Sequence, residues 1–319
     1  MSQDRIQAWV HTLKHEAKDI ISVDLRPVNG EFPAFEAGAH IDLHLPNGML
    51  RSYSLVNDCK ERHRYVLGVL NDKKSRGGSR CVHEQLRVGM AITISAPRNH
   101  FPLRKEAKHS ILIAGGIGVT PVLCMAKRLK DLGHSFEFIY LARSRASAAF
   151  MNEVESLGVP VTWHFDDEQG GAPDLNALLA QRKSDANTHL YACGPAVMLD
   201  TFEAACKKLG HANAHIERFA AVEVAASEQA RKQFTVELRQ SGIQFEVTPD
   251  TDLHQCLIQH NANVPFSCEE GICGSCETRV LEGDVDHRDS VLTPAEREQN
   301  KVMMVCVSGC KSERLVLDL

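Results

Sequence analysis

Three observations in the 319-residue sequence predict a multi-domain chain: an antiparallel β-barrel, then an α/β parallel-sheet domain, then a smaller α+β domain. Short β-like runs separated by turn residues fill residues 1 to about 102. A rhythm of strand, glycine loop, helix and strand begins at Ser110. Four of the last five cysteines then gather at Cys268, Cys273, Cys276 and Cys306. A chain of this length exceeds what one ordinary core serves, so several domains are expected.

In the first region the runs are Ile41 to Leu45, the turn Pro46-Asn47-Gly48, Tyr65 to Leu70 and Ala91 to Ile94. Short strands at such spacing, punctuated by Gly, Pro and Asn, suggest a small barrel. In the second region Ile111 to Ala114 reads as a buried strand. The Gly115 to Gly118 loop follows, then an amphipathic helix over Val122 to Leu132 and a strand over Phe136 to Leu141. Further strands are expected at Val161 to Phe165 and His189 to Ala192; this alternation marks a parallel sheet with crossover helices. The stretch from Ala220 to Lys232 is poor in large apolar residues and reads as a linker. After it come β-like runs at Phe234 to Leu238 and Ile243 to Val247, a short helix near Leu253 to His260, and the cysteine loop. No internal repeat is present, so a solenoid is not supported. The domains are placed at residues 1–103, 104–225 and 226–319.

Composition narrows the function. The net charge is −5, and without a basic stripe nucleic acid is not an expected partner. No run reaches about 18 apolar residues, and the start lacks a secretory pattern, so neither a membrane nor export is expected. The chain is expected in the cytoplasm. Eleven cysteines is an odd number, which argues against a complete disulfide set. Cys59, Cys81, Cys124, Cys193, Cys206 and Cys256 are scattered and read as small buried side chains.

The remaining cysteines carry the strongest signal. Cys268-x4-Cys273-x2-Cys276, with Cys306 after a further 30 positions, has the spacing of a plant-type [2Fe-2S] ferredoxin. Three thiolates on one loop surround an iron pair only if the backbone wraps tightly, and Gly271 and Gly274 allow that. Cys306 is expected on a strand, Met303 to Cys306, that brings the fourth ligand from another side. Zinc is the alternative, but its modules usually pair two Cys-x2-Cys knuckles. Cys310 is a rival to Cys306 for the fourth position.

Four further motifs precede this loop. In Arg51-Ser52-Tyr53-Ser54, a strand sets Arg51 and Tyr53 on one face and Ser54 on the other. Ser75-Arg76-Gly77-Gly78-Ser79 runs into a helix over Arg80 to Leu86 and exposes backbone N–H groups to an anion. Gly115-Gly116-Ile117-Gly118-Val119-Thr120-Pro121 departs from the usual dinucleotide fingerprint, with Pro121 suited to a first helical turn. Cys193-Gly194-Pro195 follows another strand, and His215-Ile216-Glu217-Arg218-Phe219 lies beyond it. Alone, each also reads as ordinary strand, loop or packing.

Together, and in this order, they make residues 5 to 319 resemble the phthalate dioxygenase reductase family, which includes the reductases of vanillate demethylase and carnitine-type oxygenases. The resemblance implies a barrel that binds FMN, an NAD-binding α/β domain and a C-terminal plant-type ferredoxin domain. It implies that Arg51, Ser52, Tyr53 and Ser54 line the flavin, with Arg51 on its phosphate, Tyr53 along it and Ser54 near N5. Arg76, Gly77, Gly78 and Ser79 would complete the phosphate site. Gly115, Gly116, Gly118 and Thr120 would face the nicotinamide nucleotide, and Cys193, Gly194 and Pro195 would sit beside its ring. Glu217 and Phe219 would return to the flavin, with Ser54, Thr120, Cys193 and Glu217 at the reacting centre. Cys268, Cys273, Cys276 and Cys306 would hold the cluster.

The implied activity is transfer of electrons from NADH through FMN to the [2Fe-2S] cluster and on to a terminal Rieske-type oxygenase. A flavin is needed between a two-electron donor and a one-electron carrier. NADH over NADPH rests on the resemblance; Arg143, Ser144 and Arg145, where a 2′-phosphate would lie, leave that choice open. The alternatives are a redox-sensing iron–sulfur flavoprotein without turnover and a stand-alone NADH:acceptor reductase.

Overall fold

The computed structural model describes residues 5–73, 76–220 and 233–319. It divides into two compact units, Met1–Arg218 and Phe219–Leu319. The linker expected over residues 220–232 lies, from 221 onward, outside the described residues, as does the expected boundary at 225.

The first unit begins with six antiparallel strands: β1 (Ile6–Ala17), β2 (Ile20–Pro27), β3 (His40–His44), β4 (Leu50–Ser54), β5 (Tyr65–Leu70) and β6 (Ala91–Ile94). Their order is β4-β3-β6-β1-β2-β5, and a bridge between Leu55 and Leu67 joins the two outer strands into a barrel. Alternate residues such as Val10, Val23, Leu25, Leu43 and Leu67 fill the interior. Strands β1 and β2 extend the pattern beyond the runs picked out from the sequence. Register shifts at Val10/Thr12 and His15/Ala17 break the two-residue period there, and most of β1 is exposed or half-buried. The turn at Pro46–Gly48 forms as expected, with Gly48 at φ 80°. Helix α1 (Gly78–Gln85) starts two residues earlier than predicted.

The same unit continues as a five-stranded parallel sheet: β7 (His109–Gly115), β8 (Ser135–Ala142), β9 (Val161–Phe165), β10 (Thr188–Cys193) and β11 (Ala214–Glu217), in the order β11-β10-β7-β8-β9. The chain therefore runs outward from β7 through β8 and β9, then returns to the other side at β10. This places a topological switch point between β7 and β10, where α/β sheets open a ligand crevice. Helix α2 (Val119–Leu132) starts straight after the glycine loop, three residues before the predicted Val122, with Pro121 in its first turn. Its buried side, Val122, Leu123, Met125 and Ala126, joins one core with the barrel residues. Short helices α3 (Met151–Glu155) and α4 (Asp166–Gln169) follow β8 and β9. On the other face α5 (Leu175–Ala180) and α6 (Ala196–Leu209) cover Ile111, Ile113, Ile139 and Leu190.

The second unit holds β12 (Phe234–Leu238), β13 (Ile243–Val247), α7 (Leu253–Gln259), β14 (Glu277–Glu282), β15 (Val285–Asp286), α8 (Pro294–Gln299), β16 (Val302–Met304), β17 (Gly309–Cys310) and β18 (Arg314–Leu317). The main sheet runs β13-β12-β18-β14-β16, and β15 pairs with β17 apart from it. Strand β12 pairs in parallel with β18, Thr235 opposite Arg314 and Leu238 opposite Leu317. Leu253 and Leu257 of α7 pack with Val236, Met303 and Leu315. Strand β16 stops at Met304, so Cys306 stands in the turn that follows and not on a strand as expected.

Candidate functional site

Strand β4 and the start of α1 lie against each other at Arg51 and Gly78. The Arg51 side chain lies across Gly78, where an added Cβ would come within 2.6 Å of Arg51 Cγ and Nε. A residue larger than glycine there would displace the cation. Arg51 Nη1 donates to the Leu50 carbonyl at 2.8 Å, and among the described residues no carboxylate is paired with it. Gly77, at φ 105°, turns the chain into α1, whose N-terminus has no side-chain cap and no acidic residue in its first turn. A guanidinium beside uncapped helix N–H groups suits a phosphate. Ser79 is buried and its hydroxyl accepts from the Asp72 backbone N–H at 3.2 Å, while Arg76 is exposed. Ser75 lies outside the described residues.

Along β4 the side chains divide as the strand period requires. Tyr53 is half-buried against the barrel core, and burial pushes its phenol well up. The Ser52 hydroxyl is engaged elsewhere: it donates to Asp42 Oδ1 at 2.6 Å, and Asp42 is fully buried against Arg98 at 2.8 Å. Ser52 therefore organises the barrel wall beneath the site.

Ser54, buried at the end of β4, donates to Glu217 Oε2 at 3.3 Å, joining the barrel to the last strand of the parallel sheet. Burial raises the Glu217 carboxyl to about 8, with the Ser54 hydroxyl opposing the shift. Cys193 is fully buried at the end of β10, its thiol held well above the ordinary range by desolvation and then by Glu217. Thr120 is buried on α2; its hydroxyl donates to the Ile117 carbonyl at 3.0 Å. Its methyl group lies against Gly68 of β5, where a Cβ would fall 2.6 Å away. Phe219, the other residue expected at this face, is 38% exposed.

Two glycine loops meet at the switch point. A Cβ on Gly118 would lie 2.1 Å from the Cys193 carbonyl oxygen, and one on Gly194 would lie 2.9 Å from Gly115 Cα. One on Gly115 would meet Met198 Sδ at 2.5 Å and Pro195 Cδ at 3.0 Å. These three glycines thus let the ends of β7 and β10 close on each other. Gly116 differs: it is at φ 54° with open space on its Cβ side, so the left-handed turn itself favours glycine there. The fit of a dinucleotide rests on that turn and on the start of α2.

In the second unit the cysteine loop is wound through left-handed residues, Glu269 at φ 57° and Gly271 and Gly274 at φ 69°. At Gly271 a Cβ would strike Val307 and Asp289, so the loop lies tight against the chain on either side. Cys268, Cys273 and Cys276 are buried and Cys306 half-buried. The thiol of Cys268 interacts with those of Cys273 and Cys306, and that of Cys306 with Cys276. The Glu270 backbone N–H points at Cys268 Sγ at 3.4 Å, and Ser275 Oγ is 3.2 Å from Cys273 Sγ. Such N–H and O–H groups suit thiolates sharing a cluster. Cys310, the rival, sits on β17 and donates to the Asp284 carbonyl at 3.3 Å.

Comparison with known proteins matches residues 236–311 to the 2Fe-2S iron-sulfur cluster binding domain family. The phenoxybenzoate dioxygenase subunit beta of Ectopseudomonas oleovorans is 45% identical over 97% of this chain and 96% of its own length. A solved phthalate dioxygenase reductase, described as a modular structure for electron transfer from pyridine nucleotides to [2Fe-2S], is 39% identical. It covers 99% of this chain and 98% of its own, with a TM-score of 0.72. The chain belongs to the phthalate dioxygenase reductase family. It is an oxidoreductase, of the kind that serves as reductase component in oxygenase systems. An intact type IV self-sufficient cytochrome P450 monooxygenase also contains this arrangement, at 38% identity and a TM-score of 0.91. This chain spans 41% of that one.

The pairing of Ser54 with Glu217 and the contact of Thr120 with Gly68 have no signature in residue spacing. Gly68, inside a strand that reads Tyr-Val-Leu-Gly-Val-Leu, was the available sign of a close approach.

Proposed function

We propose that this reductase draws electrons from NADH and passes them through FMN and its [2Fe-2S] cluster to a terminal Rieske-type oxygenase in the cytoplasm. When bound, the flavin supplies conversion from two-electron to one-electron transfer, and the cluster supplies the one-electron store. The chain's residues hold, orient and tune. Arg51 and the N-terminus of α1, with Arg76, Gly77, Gly78 and Ser79 around them, take the flavin phosphate, and Tyr53 packs along the ring system. Ser54 and Glu217 keep a proton on the Glu217 carboxyl beside the reacting face, since a carboxyl raised to about 8 is mostly protonated near neutrality. Thr120, Cys193, Gly194 and Pro195 shape the nicotinamide side, and the glycine closure of β7 on β10 keeps water from it. Cys268, Cys273, Cys276 and Cys306 ligate the cluster. No disulfide joins any of the eleven cysteines, as a reducing compartment allows, and among the described residues no helix is long and apolar enough to cross a membrane.

The observation that carries this reading is the Ser54–Glu217 contact, which joins the barrel site to the end of β11, paired with the end of β10, in a chain that also bears the four-thiol loop. Absorption spectra of the purified protein before and after NADH test it. Flavin and cluster bands that bleach with NADH, with iron and acid-labile sulfide in equal amounts, are expected. Zinc without sulfide would overturn the cluster assignment. Bleaching without transfer to any one-electron protein acceptor would favour a stand-alone reductase.

A further inference from the structure

In a doubly wound sheet, the strand beside the glycine-loop strand brings its C-terminal end to the adenosine ribose of a bound dinucleotide. An acidic side chain there takes the 2′-hydroxyl, while an arginine accommodates a 2′-phosphate. Here β8 lies beside β7, and Arg143, Ser144 and Arg145 follow its end at Ala142. Two arginines at this edge would by themselves welcome a 2′-phosphate.

The structure gives Arg145 another occupation. Its Nε lies 2.7 Å from Glu168 Oε1 and its Nη2 lies 3.4 Å from Glu168 Oε2. The guanidinium also sits 4.5 Å over the Phe165 ring. Both partners belong to the next edge of the sheet, Phe165 ending β9 and Glu168 on α4 within Asp166-Asp167-Glu168. The two edges are tied by the backbone, Asp167 N–H donating to the Arg143 carbonyl at 3.1 Å. The loop bearing Arg145 is itself held by Ser144 N–H donating to Ser147 Oγ at 3.1 Å. Arg145 is thus drawn toward β9 in a two-point grip, and three carboxylates stand at this edge against two guanidiniums.

Both side chains are largely exposed, Arg145 at 59% and Glu168 at 45%. An ion pair so exposed adds little to folding stability. It matters instead to a ligand: a dianionic 2′-phosphate meets the Glu168 charge at one of the two arginines of this edge, whereas a 2′-hydroxyl does not. We propose that Glu168, by occupying Arg145, is a specificity-determining residue that turns this edge against a 2′-phosphate and sets the choice of NADH over NADPH. The inference rests on the nicotinamide-reductase reading and deepens it.

The test uses the flavin-loaded full chain at low ionic strength. Calorimetric titration with adenosine 5′-monophosphate and adenosine 2′,5′-bisphosphate compares the parent, Glu168→Gln and the double variant Arg145→Gln/Glu168→Gln. Glu168→Gln is expected to raise bisphosphate affinity relative to the monophosphate by about tenfold. The NADPH-to-NADH ratio of kcat/KM should rise with it, and the double variant should lose the gain. A change under twofold in Glu168→Gln, or a gain that persists without Arg145, overturns the assignment. NADH-dependent dye reduction by the parent separates the two levels. If the parent fails to oxidise NADH the reductase reading fails; if it succeeds and the ratio does not move, only the role of Glu168 fails.

Discussion

Ser54 and Glu217 stand 163 positions apart in the chain and 3.3 Å apart in the structure. Because burial raises the Glu217 carboxyl to about 8, above its unfolded value near 4.5, the folded state holds a proton that the unfolded chain releases. That contribution to stability is complete below about pH 4.5 and is lost as pH rises to about 8. Replacing Glu217 with Gln, at equal flavin loading, should therefore gain in melting temperature on the parent between pH 5 and 8. A gap that does not widen with pH would refute the buried proton. Arg51→Ala should weaken flavin binding by roughly ten- to a hundredfold through loss of a charge-assisted phosphate contact, with the far-ultraviolet circular dichroism unchanged. Fluorescence titration of released flavin measures it, and retained affinity would reassign Arg51. At this scale the sequence showed residue types and the faces of a strand. It did not show that the Ser52 hydroxyl is engaged by Asp42, because a hydrogen bond from β4 to β3 depends on register.

The glycine motifs were legible as loops, yet their reason lies in how two elements meet. Gly118 has ordinary helical dihedrals, so no backbone rule demands glycine; the Cys193 carbonyl on the neighbouring strand does. Gly118→Ala should force the ends of β7 and β10 apart and cost about 1–3 kcal/mol, lowering the melting temperature of the first unit by several degrees. It should also weaken NADH binding. Gly116→Ala, with open space but positive φ, should cost about 1 kcal/mol from backbone strain alone. Equal effects from the two would contradict the packing argument. The parallel strands β7, β8 and β10 were readable because strands largely buried on both faces appear as near-continuous apolar runs. Strands β1 and β2 were not, because two register shifts displace the alternation that identifies a half-exposed strand. Cys306 was expected on a strand because Met303, Met304 and Val305 look extended; the chain turns after Met304 instead, and a ligand in a turn is freer to face the other thiols.

For the molecule as a whole, Cys276→Ser should disable the cluster while the first unit, with its own core, keeps flavin and nicotinamide binding. NADH-dependent reduction of a small dye should survive and reduction of a one-electron protein acceptor should fail; a joint loss would mean that the second unit is needed for the first to work. Residues 233–319 also carry 15 Asp and Glu against 7 Lys and Arg, more acid surplus than the net −5 of the entire chain. Reduction of a protein acceptor with a basic face should slow as salt is raised, with dye reduction unaffected. The parallel pairing of β12 with β18 sets an order on biosynthesis as well. Strand β18 is the centre of its sheet, between β12 and β14, and follows every other described strand in the chain. The six barrel strands and α1 are complete in sequence by residue 94, long before the second unit is translated. The sheet that backs the cysteine loop lacks its central strand until residues 314–317 emerge, so the second unit can close only after the barrel strands are already made.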